Sequence, residues 1–354
     1  MKPIYVELKN GEIMKVKMIS PPVGKYQNQV GCWADIRDDL LSGKLSDSLL
    51  APYFIGEIGE ELVGSMGCYL SKDTNEIGLV EFVETTEKHR TKGIANALLT
   101  HLINYFTSIE GKVLFLCTTN PIAGALYEKQ GFWYTVGDGM RKIIEAKFDF
   151  DNTYFDNLGV ANVRKAKWGD LPRATALYNH QEPDWFIKDY ITSSFNDTRY
   201  ERHFIQVMKG CENDNGKVFV LENLAKRIVG LLAFQRQKTF YEQHCATVSF
   251  RICPTYQNQL KDLIGVAIEA AKKIKIDTFN IHISNIDDEQ KDLLDSVGFS
   301  EIARIPGQFN IGATKLDMLI YQLKIGPLSQ PYRGKGDYYA GRQDWQKQRL
   351  TDTR

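Results

Sequence analysis

Residues 79–99 read Leu79-Val80-Glu81-Phe82-Val83-Glu84-Thr85-Thr86-Glu87-Lys88-His89-Arg90-Thr91-Lys92-Gly93-Ile94-Ala95-Asn96-Ala97-Leu98-Leu99. The first part belongs to a strand expected at 76–84. Beyond it the period changes: Ile94, Ala97, Leu98, His101, Leu102 and Tyr105 recur at three- and four-residue steps, as one face of a helix from about Gly93 to Ser108 requires. A strand-to-helix transition therefore lies at 85–92. Such a turn directs unpaired backbone N–H groups and the positive end of a helix dipole at one spot, and a phosphate is its natural occupant. Gly93 and Ala95 are small enough for the backbone to approach a pyrophosphate, and Arg90, Lys92 or His89 could add charge at the rim. Taken alone, Arg90-Thr91-Lys92-Gly93-Ile94-Ala95 reads equally well as a glycine-containing loop with basic residues facing solvent.

Working outward, strands are expected at 12–19, 53–58 and 62–71, with Asp73-Thr74-Asn75 as a hairpin turn before the strand at 76–84. Val113-Leu114-Phe115-Leu116-Cys117 is a continuous apolar run of the kind buried on both faces of a sheet. A short helix at 120–130, closed by Gly131, and strands at 132–136 and 140–146 complete an α/β unit of residues 1–150. The stretch 149–159 reads as a linker or an edge strand. From Val160 a similar order begins again: helix candidates at 171–194, strands around 218–222, 228–236 and 246–252, a helix at 260–273, a strand at 278–283 and a helix at 287–297. Arg90 to Gly131 is 41 positions, as is Gln257 to Gly298, and each glycine is followed by Phe. The chain thus reads as a duplicated fold: one domain at 1–150, a second at 160–325, and an irregular tail at 326–354.

Composition limits the function. Forty-four Lys and Arg balance forty-four Asp and Glu over 354 residues, so no global field draws the chain to nucleic acid or to an anionic membrane. No apolar run resembles a signal peptide or a membrane span, and a cytoplasmic protein is expected. The six cysteines form no CxxC pair and the six histidines no HExxH, so neither a disulfide framework nor a metal site is expected.

The quoted run resembles the coenzyme-binding motif of the GNAT N-acetyltransferase superfamily, whose pyrophosphate loop is Arg/Gln-x-x-Gly-x-Gly/Ala. Downstream, Asn120-Pro121-Ile122-Ala123-Gly124-Ala125-Leu126-Tyr127-Glu128-Lys129-Gln130-Gly131-Phe132 resembles the family's second coenzyme-side motif, Asn-x-x-Ala-x-x-Leu-Tyr-x-x-x-Gly-Phe. The resemblance covers most of 1–150. It implies two tandem α/β domains, each a mixed, mostly antiparallel sheet flanked by helices, the first splayed to admit the pantetheine arm of acetyl-CoA. By the same resemblance, the backbone of Phe82, Val83 and Glu84 would pair with pantetheine, the run Arg90, Thr91, Lys92, Gly93, Ile94 and Ala95 would hold the pyrophosphate, Asn120 would touch the coenzyme arm, and Tyr127 would reach the sulfur.

Acetyl transfer needs a neutral amine, donors for the oxyanion and a proton for the departing thiolate. A phenol can supply that proton, so Tyr127 is the candidate general acid; otherwise it is an aromatic packed at a helix end. Glu81, on the opposite strand face from Val80 and Phe82 if alternation is unbroken, is the candidate acceptor of the amine proton, directly or through water. Glu84 is the alternative, and a solvated strand glutamate the plain reading of either. His101 reads as a packed core-edge histidine and Cys117 as a small buried hydrophobe.

At the same offset, the second half places Leu260 at the position of Gly93, Asp262 at Ala95, Leu294 at Tyr127 and Val248 at Glu81. A branched side chain, a carboxylate and an aliphatic group each remove a function, so 160–325 reads as a degenerate GNAT-like domain. In tandem members of the superfamily the inactive repeat helps shape the acceptor pocket, and the acidic-aromatic stretch 179–202, with Glu182, Asp184, Trp185, Asp189, Tyr190 and Tyr200, suits an amine-bearing acceptor or is an ordinary helical hairpin. The expected activity is acetyl-CoA-dependent N-acetylation of a small-molecule or peptide amine in a ternary complex, by a monomer or homodimer. A non-catalytic CoA-binding scaffold whose second half engages a partner is the other class open.

Overall fold

In the computed structural model, which describes residues 3–135, 137–145, 147–195 and 199–326, the chain forms two large sheets. The first half runs β1 (Ile4–Glu7), β2 (Ile13–Ile19), α1 (Arg37–Leu41), β3 (Leu49–Leu50), β4 (Tyr53–Ile58), β5 (Glu61–Ser71) and β6 (Ile77–Thr85). It continues with α2 (Ile94–Ser108), β7 (Val113–Cys117), α3 (Pro121–Lys129), β8 (Trp133–Tyr134) and β9 (Gly139–Ile143), and then the short α4 (Phe150–Thr153). Its strands lie in the order β1-β2-β4-β5-β6-β7-β9-β8, with β3 on β5. Every pair is antiparallel except β6 with β7.

The second half opens with β10 (Asn162–Lys165), α5 (Leu171–Asn179), β11 (Ile187–Asp189), β12 (Ser194–Phe195) and α6 (Tyr200–Gly210). Then come β13 (Gly216–Glu222), β14 (Ile228–Arg236), β15 (Cys245–Ile252), α7 (Leu260–Lys273), β16 (Thr278–Ser284), α8 (Asp288–Ser296), β17 (Ser300–Ile311) and β18 (Thr314–Lys324). The order β10-β13-β14-β15-β16-β18-β17 again has one parallel pair, β15 with β16. Both halves are mixed, mostly antiparallel sheets flanked by helices.

The elements follow from local pattern. In α2 the stripe Ile94, Leu98, Leu102 and Phe106 is buried at four-residue steps, against Val63, Met66 and Val80 of the sheet. His101 packs edge-on to Phe54, with ring centroids 5.7 Å apart. Three stretches depart from the expected elements. Residues 171–194 are not helical throughout: α5 stops at Asn179, an extended segment with β11 follows, and a further helix, α6, lies beyond. The stretch 149–159 is no solvated linker, because Phe150, Tyr154 and Phe155 are buried in a stack of rings. The hairpin β17–β18 had no counterpart in the expected order. Of the expected tail only Gly326 is described, and the rest lies outside the described residues.

The other face of the first sheet is covered by the second half. Tyr53, Tyr69, Ile77, Leu79 and Phe115 share one continuous core with Leu171, Ala174, Leu177 and Tyr178 of α5. Ion pairs tie the halves at its edge. Arg173, fully buried, reaches Asp73 at 2.7 Å, Asp170 at 2.5 Å and Glu222 at 2.9 Å, and Asp73 lies in the hairpin turn between β5 and β6. Arg227 holds Glu76 through Nε and Nη2, both at 2.9 Å. Arg173→Ala leaves three carboxylates around a buried void, and is expected to cost about 3–5 kcal/mol of stability, read as a fall in the midpoint of denaturant unfolding.

Candidate active site

The turn between β6 and α2 is held open at the point where an anion would bind. Thr91 has φ 68° and Gly93 φ 92°, and Gly93 caps α2 with no side chain accepting from the helix N–H groups. Two left-handed residues within three positions turn successive amides to one side, and a non-glycine such as Thr91 adopts this conformation at a cost of about 1–2 kcal/mol. Arg90 is exposed and makes no ion pair among the described residues. Lys92 is engaged elsewhere, with Glu12 at 2.7 Å and His89 Nδ1 at 3.1 Å.

Below this turn lies a cleft of about 1110 Å³. Its walls come from the parting of the parallel strands: β6 and β7 pair only from Ile77–Val113 to Leu79–Phe115, after which β6 runs on to Thr85 and β7 ends at Cys117. Val83, Glu84 and Thr85 line one side, Asn120, Ala123 and Tyr127 the other, and Arg90, Thr91, Gly93, Ile94 and Ala95 the end at the start of α2. Gly64 of β5 allows this closeness, since a Cβ there would lie 2.7 Å from Ile94 and 3.0 Å from the Glu84 carbonyl. Lys9 and Gln29 also line the cleft. Lys9 is fixed by its backbone N–H to the Lys92 carbonyl at 3.2 Å, and no local pattern in the sequence marks it.

A bulge corrects the expected facing of Glu81. Ser65 pairs with Glu84 while Gly67 pairs with Glu81, so β6 carries one extra residue, and Phe82 has φ 51°. Val80 and Val83 pack on the α2 side. Glu81 and Phe82 both turn to the opposite face, where the Phe82 ring meets Trp33 at 5.3 Å. Phe82 therefore does not line the cleft. Lys92 and the Phe82 side chain are thus directed away from it, whereas the expectation for Phe82 concerned its backbone.

Asn120 is the N-cap of α3: its Oδ1 accepts the N–H groups of Ile122 at 3.0 Å and Ala123 at 3.4 Å, with Pro121 in the first turn. Tyr127, 5% exposed, sits on the inner wall of the cleft, and burial, helped by the charge of Glu81, pushes its hydroxyl up to about 12. It is a neutral phenol at physiological pH. Glu81 is held well above the usual carboxylate range, first by burial and then by the charge of Glu201 on α6, with Arg199 opposing. His101 and Cys117 lie outside the cleft.

The corresponding gap in the second sheet is filled by the chain itself. Where β15 and β16 part, beyond Val248–Ile281, residues 185–190 run between them. The Tyr190 N–H donates to Ser249 Oγ at 2.9 Å, and the Phe186 N–H to Asp287 Oδ1 at 3.1 Å. The Trp185 ring meets Phe250 at 5.3 Å and that of Tyr190 stacks on His282 at 3.9 Å. Asp287 stands at the same offset as Asn120, and its carboxyl is pushed up to about 6 by burial. Trp185, Asp189 and Tyr190 thus serve this plug and not the cleft of the first half. Among the described residues no helix is long and apolar enough to cross a membrane, and no three His, Cys, Asp or Glu side chains gather as a metal site.

Comparison with known proteins gives the following. Residues 25–132 match the model of the acetyltransferase (GNAT) family. No curated protein matches the chain. Similar solved structures include yncA, a putative acetyltransferase from Salmonella typhimurium with its cofactor acetyl-CoA, at 18% identity and TM-score 0.41, covering 50% of this chain and 100% of that one. An N-acetyltransferase from Staphylococcus aureus Mu50 is 18% identical with TM-score 0.41, covering 48% of this chain and all of its own. A ribosomal-protein-alanine N-acetyltransferase from Brucella melitensis is 19% identical with TM-score 0.39, covering 46% and 99%. The matched segment runs from before α1 through α3, and so contains β6, the turn, α2 and Tyr127. Residues 25–132 are therefore a domain of the GNAT acetyltransferase family.

Proposed function

We propose that the chain is an acetyl-CoA-dependent N-acetyltransferase acting on the amine of a small molecule or peptide by direct transfer in a ternary complex. The observation that carries this reading is the cleft between β6 and β7, with the uncapped start of α2 at one end and a neutral, buried tyrosine at the other. The residues present fit the coenzyme: amides of the turn at 91–95 and Arg90 for the pyrophosphate, strand-edge groups of Val83 and Glu84 for the pantetheine arm. Acetyl-CoA would supply an activated acyl group and a thiolate leaving group.

The chain's own groups then do the following. Glu81 accepts the proton lost by the amine nitrogen as its lone pair forms the N–C bond, and Tyr127 donates a proton to the sulfur as the C–S bond breaks. Both return to their starting states by exchange with solvent, so one proton leaves the amine and one joins the thiol. The second half, at 160–325, holds no coenzyme in this reading, because the segment 185–190 occupies the equivalent gap.

Incubation with acetyl-CoA and a panel of amines, following free thiol and acetylated product, tests the proposal. Binding of acetyl-CoA without turnover on any acceptor would instead favour a scaffold. Tyr127→Phe is expected to lower kcat by about 10²–10⁴-fold, the range of a lost general acid, with the acetyl-CoA dissociation constant unchanged by calorimetry. Unchanged kcat in this variant removes Tyr127 from the mechanism.

A further inference from the structure

Behind Glu81 lies a second, smaller cavity of about 10 Å³, bounded by Glu81 and Cys117 on the first sheet and by Thr175, Asn179 and Glu201 from α5 and α6. It has room for about one water molecule. Glu201 is 5% exposed and Glu81 is half-buried, so two carboxylates from opposite halves of the chain line one small pocket where solvent screening is reduced. They are not equivalent. Arg199 Nε lies 3.8 Å from Glu201 Oε1 and favours its charged form. Glu81 receives no hydrogen bond from the described residues. Burial and the charge of Glu201 raise the proton affinity of Glu81, and Arg199 opposes them.

We propose that Glu201 is a positioning residue for Glu81: its carboxylate, carried by the second half into the water-sized pocket behind the strand, faces Glu81 and tunes it as the proton acceptor of acetyl transfer. This rests on the reading of Glu81 as the base of acetyl transfer, and gives the second half a share in the chemistry without a coenzyme of its own. An isolated strand carboxylate is a weak base at neutral pH, and a neighbouring fixed negative charge is the ordinary means of strengthening it.

The groups facing Glu81 come from five elements. Glu201 and Arg199 stand at the start of α6, Tyr69 on β5, Tyr127 on α3, Cys32 in the loop before α1 and Cys117 at the end of β7. Burial holds Tyr69, Tyr127 and Cys32 in their neutral forms. Among the described residues, Glu201 and Arg199 are the charges that act on Glu81, in opposite directions.

The test is an infrared pH titration of the full chain without substrates, following the stretch of the protonated carboxyl, assigned to Glu81 by its loss in Glu81→Gln. In Glu201→Gln the midpoint is expected to fall by about one pH unit or more, a tenfold change in proton affinity, and Arg199→Gln is expected to raise it. Glu201→Asp, which keeps the charge, is expected to stay close to the parent. The acid limb of kcat/KM for acetyl transfer should move with the midpoint. A midpoint unmoved in both Glu201→Gln and Arg199→Gln, or moved as far by Glu201→Asp as by Glu201→Gln, overturns the proposal. Should Glu201→Gln fail to fold, the direction of the Arg199→Gln shift decides alone. A chain that acetylates no amine would overturn the proposed function, while the infrared midpoints would still decide whether the two carboxylates are coupled.

Discussion

Gly93→Glu abolishes acetyl-CoA binding, with a dissociation constant expected to rise by about 10³-fold or more. Two effects add. Gly93 has φ 92°, where any side chain is strained, and this part costs about 1–2 kcal/mol. The larger part is charge: the introduced carboxylate sits at the N-terminus of α2, where it takes the place intended for a phosphate and repels the coenzyme, at a cost of several kcal/mol. The fold has room for the change, since a Cβ at this position would meet only the Lys9 side chain, at 3.6 Å. Gly93→Ala separates the two effects, because it carries the backbone strain alone and is expected to weaken binding by about tenfold. Calorimetric titration with acetyl-CoA measures both. Wild-type affinity in Gly93→Glu would place the coenzyme elsewhere.

Glu81→Gln is expected to lower kcat/KM by about 10²–10⁴-fold and, at the same time, to make the folded chain more stable at neutral pH. The second half of this prediction follows from linkage. Folding raises the proton affinity of Glu81, through burial and Glu201, above that of an unfolded carboxyl at about 4.3. Its contribution to stability is therefore fully present below that value and is lost as the pH rises through the folded one. A neutral amide of the same shape escapes this loss. The difference in melting temperature between Glu81→Gln and the parent should be small near pH 4 and grow toward pH 8. A variant that loses both activity and stability at pH 8 would mark Glu81 as a structural residue.

Much of the site was legible because its signals are local. Alternation gave β4, β5 and β6 to within a residue or so, the four-residue stripe gave α2, and a glycine between strand and helix marked the turn that joins them. The misses share another cause. The extra residue at Phe82 is imposed by pairing with Ser65 and Gly67 and by the ring of Trp33, none of which is near in sequence. Lys92 carries the same charge as Arg90, and only the approach of Glu12 takes it out of the cleft. The segment 185–190 mimics a helix in its apolar spacing, yet it lies extended because Ser249 and Asp287 accept its N–H groups.

The sequence alone determined the elements that short-range periodicity and backbone conformation govern: most of the strands and helices of the two α/β halves, and the turn that joins β6 to α2 in the first of them. Tertiary structure decided what depends on meetings between distant residues. It set which face Glu81 takes, covered the first sheet with α5, brought Glu201 behind the strand and filled the second cleft with its own chain. Periodicity is a property of neighbours a few bonds apart, whereas burial, strand register and the proton affinity of a carboxylate are fixed by whatever the fold brings alongside, and no local pattern records that.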